Sequence, residues 1–125
     1  MVVSLIDTSV LVDILRGHSP ALSWLSTQTD LGVSAVVWIE LLQGARDKPA
    51  QSRALALLKK FERVDLTVID VDWAIQTLLR YHLSHHVGGI DCLIASVNHR
   101  LNVPLYTTNL KHFTPLLKSL AQRPY

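Results

Sequence analysis

Apolar positions along the chain follow two alternating rhythms. The opening run Val2-Val3-Ser4-Leu5-Ile6 is short, almost uninterrupted and rich in β-branched residues, which predicts a buried strand closed by Asp7-Thr8-Ser9. The period then lengthens. Val10, Leu11 and Ile14 recur at helical spacing until Gly17, and Ser19-Pro20 restarts a helix that runs through Leu22, Trp24 and Leu25 to about Thr27. Gly32-Val33-Ser34 predicts a short second strand, followed from Ala35 by the apolar helix Ala-Val-Val-Trp-Ile-Glu-Leu-Leu-Gln-Gly-Ala. After the loop Asp47-Lys48-Pro49, Leu55, Leu58 and Phe61 mark the apolar face of a helix over 50–63. Asp65 to Ile69 alternates like a strand, and a helix is expected over 71–84 with Trp73, Ile75, Leu78 and Leu79 packing inward. Ile90, Leu93, Ile94, Val97 and Leu101 define a further helix; Asn102 to Thr107 reads as a strand entered through Pro104, and Thr114-Pro115 opens a last short helix.

Strands alternating with helices predict an α/β fold, an α/β/α sandwich with a central parallel sheet. At 125 residues the expectation is one domain over 1–125. The longest uncharged apolar stretch, Leu31 to Ile39, falls well short of the ~18 residues of a membrane span, so a soluble protein is expected. The single cysteine, Cys92, excludes an intramolecular disulfide, and the first residues lack the basic start of a secretory signal. A cytoplasmic setting follows as an expectation. Hydrophobic residues make up 49% of the chain and the mean hydropathy is +0.26, high for a small domain, which suggests that a partner or second copy covers part of the surface. The net charge is only +2, and it becomes more positive if several of the ten acids are engaged by cations, which permits a polyanion near them.

Three acids occupy informative positions. Asp7 lies where the first strand hands over to a helix, the end of an open parallel sheet where ligands bind; its bland role is that of a helix cap. Glu40 is the one acid inside an apolar helix. A buried carboxylate there needs compensation, and the structural alternatives are a salt bridge to Arg46 or Arg53 or simply a polar edge of the helix. Asp91 follows Gly88-Gly89 in the first turn of its helix, where it complements the helix dipole if nothing more. The glycines suggest a close backbone approach or an unusual turn. His82, His85 and His86 lie together, yet with one thiol in the chain they make a poor zinc set and read better as a polar helix end. Cys92 has no matched base in the pattern and reads as a packed thiol rather than a nucleophile.

Four stretches, in this order, resemble the PIN-domain ribonucleases and especially the VapC toxins of toxin–antitoxin pairs: Leu5-Ile6-Asp7-Thr8-Ser9-Val10-Leu11, Ile39-Glu40-Leu41-Leu42-Gln43-Gly44-Ala45, Gly89-Ile90-Asp91-Cys92-Leu93-Ile94-Ala95 and Thr107-Thr108-Asn109-Leu110-Lys111-His112-Phe113. Each is weak alone, and together they span nearly the whole chain. The resemblance implies that Asp7, Glu40 and Asp91 gather as ligands for Mg²⁺, or Mn²⁺, in an endoribonuclease that leaves 5′-phosphate and 3′-hydroxyl ends. It also implies a homodimer and a cognate small antitoxin. Many PIN domains carry a fourth acid after the last strand; here Asn109 takes that place, as a weaker contributor. Thr8, Ser9, Thr107 and Lys111 are expected beside the ligands or on the RNA, with Arg46 as another backbone contact. Two other readings stand beside this one. A catalytically silent PIN fold would only bind a partner, and a receiver-type signalling domain would want paired acids at the first strand and a lysine after the last.

Overall fold

A computed structural model describes residues 1–125. Five strands form one all-parallel sheet: β1 (Ser4–Ile6), β2 (Leu31–Ser34), β3 (Glu62–Val64), β4 (Leu105–Tyr106) and β5 (Ala121–Gln122), in the order β3-β2-β1-β4-β5. Seven α-helices accompany it: α1 (Thr8–Leu15), α2 (Ser19–Ser26), α3 (Ala35–Gln43), α4 (Lys48–Leu58), α5 (Val68–His85), α6 (Gly89–Leu101) and α7 (Leu110–Leu117). From β1 the chain steps outward to β2 and β3, then crosses back to build β4 and β5 on the opposite side. The direction of winding therefore reverses between β1 and β4, and a crevice opens at their carboxyl ends. Leu5 N–H donates to Pro104 O and Asp7 N–H to Tyr106 O, each at 2.9 Å, so this ladder delivers Asp7 and Thr107 to the same place.

The core is a single cluster. Leu5 and Ile6 of β1, Val10 and Leu11 of α1, Val33 of β2, Ile94 and Val97 of α6 and Phe113 of α7 are all almost wholly shielded from solvent. Both faces of the central strand are buried, which accounts for its uninterrupted apolar run.

Several sequence-based boundaries move. The third strand lies at Glu62–Val64, within what the periodicity extends as a helix, and Leu58 ends α4. The expected strand over 65–69 is instead the start of α5. Thr67 accepts a hydrogen bond from Asp70 N–H while Asp70 accepts one from Thr67 N–H, a reciprocal cap that outweighs the β-like alternation of Val68 and Ile69. On α5 the buried positions are Asp70, Ala74 and Thr77, whereas Ile75 and Leu79, expected inside, face outward. Asp70 is paired with Arg100 of α6 at 2.9 Å, which is why an acid occupies that inner face. Ile90 is likewise exposed, and α6 packs through Cys92, Ile94, Ala95 and Val97. The last helix begins at Leu110 rather than at Thr114-Pro115, with Pro115 inside it, and the two-residue β5 has no counterpart in the sequence reading. Neither Gly88 nor Gly89 uses the left-handed backbone region; the turn before α6 is made by His86, at φ 56°.

Candidate active site

Asp7 is only 5% exposed and stands at the N-cap position of α1, yet its side chain makes no capping bond. Its Oδ2 accepts hydrogen bonds from the Thr107 hydroxyl at 2.8 Å and the Ser9 hydroxyl at 2.9 Å. These hydroxyls are themselves fixed: Ser9 Oγ accepts from Thr108 N–H, and Thr107 Oγ1 accepts from Asn109 N–H. The strand end at Thr107 thus holds Asp7 from across the switch point, and the helix-cap explanation fails for this residue. Burial pushes the Asp7 carboxyl above the ordinary carboxylate range. The bonds from Thr107, Ser9 and the Thr8 backbone pull it back, and the negative charge of Asp91 raises it again. No cationic side chain pairs with Asp7 itself.

Glu40 lies on a polar edge of α3 and lacks the expected arginine partner. It is half-buried rather than buried, and its partner is neither Arg46 nor Arg53 but the Thr8 hydroxyl, which donates to Oε1 at 2.7 Å. Thr8 therefore ties the third acid to the start of α1. Asp91, in the first turn of α6, accepts a long 3.4 Å bond from Gly88 N–H. Glycine has no side chain to return it, so only half of a capping box exists here. Burial and the neighbouring Asp91 charge both push the Cys92 thiol up, opposing thiolate formation and supporting its reading as a packed thiol.

His112 is the residue that sequence reasoning missed. In the first turn of α7 its Nδ1 lies 3.2 Å from Asp91 Oδ2 and 3.1 Å from Asn109 Nδ2. A half-turn of the Asn109 amide exchanges its donor and acceptor, so this side chain can match the ring whether Nδ1 carries a proton or not. The signal was present in the stretch Asn109-Leu110-Lys111-His112, but it is meaningful only once α7 starts at Leu110. Lys111 is exposed and has no side-chain hydrogen bond. The histidines at the end of α5 do not converge either: His82 Nδ1 lies 2.7 Å from Val87 O and His85 Nδ1 lies 2.7 Å from the Ser84 hydroxyl.

Asp7 and Asp91 are close enough to feel each other's charge, and Thr8 links Glu40 to the same corner. No three acidic, histidine or cysteine side chains, as they stand, form a ready-made metal cluster. The donor chemistry nevertheless fits a hard cation. It consists of carboxylate oxygens, one of them buried without a cationic partner, and it presents no thiolate.

Residues 4–113 match the profile of the PIN domain. The chain belongs to the PIN-domain family. Among its relatives, Ribonuclease VapC19 of Mycobacterium tuberculosis is 35% identical over 97% of this chain and 98% of its own length, which places the chain with the VapC ribonucleases. Ribonuclease VapC10 of the same species is also 35% identical, over 93% of this chain and 89% of its own. In three dimensions the chain superimposes on a toxin–antitoxin complex from Klebsiella pneumoniae with a TM-score of 0.82, at 20% identity over 98% of both chains. Mycobacterium tuberculosis VapC20, described as a sarcin–ricin loop cleaving toxin, gives a TM-score of 0.71 at 17% identity, covering 85% of this chain and 89% of that one. These likenesses confirm the expected PIN-like α/β fold and leave no place for a receiver domain.

If Asp91 is a ligand of a divalent cation in this PIN domain, replacing His112 by Ala is expected to weaken that binding by roughly 10- to 100-fold, the usual consequence of removing a group that orients a ligating carboxylate. Mn²⁺ titration of the protein checks this, with unchanged affinity assigning the ring to packing alone.

Proposed function

We propose that the chain is a Mg²⁺- or Mn²⁺-dependent endoribonuclease and the toxin of a toxin–antitoxin pair. The observation that carries this reading is a buried Asp7 held by two hydroxyls and by no lysine or arginine, with Asp91 beside it and Glu40 tied in through Thr8. Asp7, Glu40 and Asp91 are the residues that would hold the cation. When bound, the cation polarises the scissile phosphate and activates a water for hydrolysis, leaving a 5′-phosphate and a 3′-hydroxyl. Ser9 and Thr107 fix the direction of the Asp7 carboxylate, Thr8 does the same for Glu40, and His112 for Asp91. Asn109, in place of a fourth acid, adds no charge and reaches the group through His112.

Two partners follow from the same reading. A cognate small antitoxin is supported by the toxin–antitoxin complexes among the structural neighbours. A homodimer is supported by α5, whose outward stripe of Val68, Ile75, Leu79 and Leu83 is between 51% and 88% exposed at helical spacing. No helix of the chain is long and apolar enough to cross a membrane.

The test is incubation of purified protein with cellular RNA in Mg²⁺, in Mn²⁺ and in EDTA. Cleavage is expected only with the cations. Glu40→Gln is expected to lose it while melting close to wild type, because Glu40 is half-buried and engages a single hydroxyl. Cleavage that persists in EDTA, or a folded wild-type protein that leaves RNA intact in both metals, would remove the metal-nuclease reading and favour a silent PIN fold.

A further inference from the structure

A cleft of about 320 Å³ is lined from α1, α3 and α4 and shares Thr8 and Glu40 with the candidate active site. Arg16, after α1, Arg46, in the loop between α3 and α4, and Arg53, on α4, also line it. All three arginines are exposed, and none enters an ion pair or a side-chain hydrogen bond. Elsewhere the arginines are engaged: Arg63 with Asp65, Arg100 with Asp70, Arg80 over the Tyr81 ring and Arg123 on Tyr125 O. Glu40 is the one acid of the lining, and its Oε1 is already occupied by Thr8. Three unneutralised guanidiniums around one cleft repel one another, and a ligand carrying several negative charges relieves that repulsion.

We infer that this cleft holds phosphates of the substrate RNA that flank the cleaved bond, with Arg16, Arg46 and Arg53 as the contacts. The inference rests on the ribonuclease reading and deepens it. From Thr8 to Arg16 the chain rises about 12 Å along α1, so the guanidiniums extend away from the carboxylates over the span of a short stretch of strand. Continuity with Thr8 and Glu40 favours RNA over other polyanions, because a strand cut at the carboxylates has to leave along an adjoining surface. The lining has no aromatic side chain on which a base would stack, so the contacts are to the backbone and carry no base preference. Arg53, weighed from the sequence as a salt-bridge partner of Glu40, is thus drawn into substrate binding.

The experiment measures binding of a single-stranded oligoribonucleotide in EDTA over a series of salt concentrations, for the wild-type protein, for each Arg→Gln variant and for the triple variant. Each phosphate contact on a single strand contributes a slope of about 0.7 in log K against log salt, so each single variant is expected to lose about that much and the triple variant about 2. The corresponding triple Arg→Lys protein keeps the slope, because the charge remains. A triple glutamine variant with the wild-type slope overturns the inference, as does a wild-type protein without measurable RNA binding. Polyglutamate is the second probe. If the three substitutions weaken its binding and leave RNA binding intact, the cleft takes an acidic protein segment instead. Wild-type protein that cuts RNA in Mg²⁺ while the slopes are unchanged sinks this inference alone, whereas loss of cutting in wild type sinks the ribonuclease reading with it.

Discussion

Asp7→Asn is expected to abolish RNA cleavage and to yield a protein that melts at or above the wild-type temperature. Asparagine keeps the shape of the side chain and one oxygen to accept from Thr107 and Ser9, and the substitution sacrifices no capping bond because Asp7 makes none. What it removes is a charge that burial and Asp91 both oppose. The pH dependence has a definite sign. Because the folded-state value lies above the ordinary 3.8, the contribution of Asp7 to stability is fully present below pH 3.8 and is lost as pH rises through that raised value. In EDTA, wild type and Asp7→Asn should therefore melt closest together at acid pH and diverge toward neutrality, with the variant higher. Added Mn²⁺ should raise the wild-type melting temperature at neutral pH and leave the variant nearly unmoved. Asp91→Asn should behave alike in cleavage, without the gain in stability, because Asp91 is more exposed and has His112 beside it. Full cleavage by either variant, or a fall in the neutral-pH melting temperature of Asp7→Asn, contradicts the shared-cation account.

Leu79→Glu combined with Leu83→Glu is expected to convert an assembled protein into 14 kDa monomers. These two side chains are 74% and 88% exposed on α5, on the side away from Ala74 and Thr77, so the fold gains nothing from their apolar character. Their hydrophobicity is of use only to a surface that covers them. Two glutamates facing their counterparts across an interface would bring unpaired like charges together. Melting of the isolated fold should change little, since surface substitutions of this kind usually stay within about 0.5 kcal/mol. Sedimentation across the micromolar range decides it: a wild-type protein that is already monomeric at every concentration rules out α5 as a dimer face.

The sequence made the site more legible than the boundaries around it. A strand that is buried on both faces has a continuous apolar run, and the acid or threonine that ends the run stands out against it; this is why Asp7 and Thr107 could be placed before any geometry was known. Glu40 stood out for the same reason inside α3. Its half-exposure was hidden because the apolar residues around it include Ile39, which faces solvent. Val68 and Ile69 misled for a related cause: they alternate like strand residues but belong to the exposed first turn of α5, and apolar pattern alone does not say which surface will be covered by another chain. His112 was invisible because its role depends on where α7 begins, and Pro115 suggested a start several residues too late. The arginines of the cleft come from three separate segments, and only tertiary packing shows that they share it.

The bond from Thr107 to Asp7 joins residues 100 positions apart in the chain. During synthesis, a ribosome that has released Asp7, Glu40 and Asp91 has still not released the hydroxyl that orients the first of them, nor β4, whose ladder brings the two strand ends together. Non-local contacts of this kind form only after most of the chain is available to close the loop. An enzyme that attacks RNA thus emerges from its own RNA-based factory in an unarmed form until β4 and Thr107 have followed the three acids out.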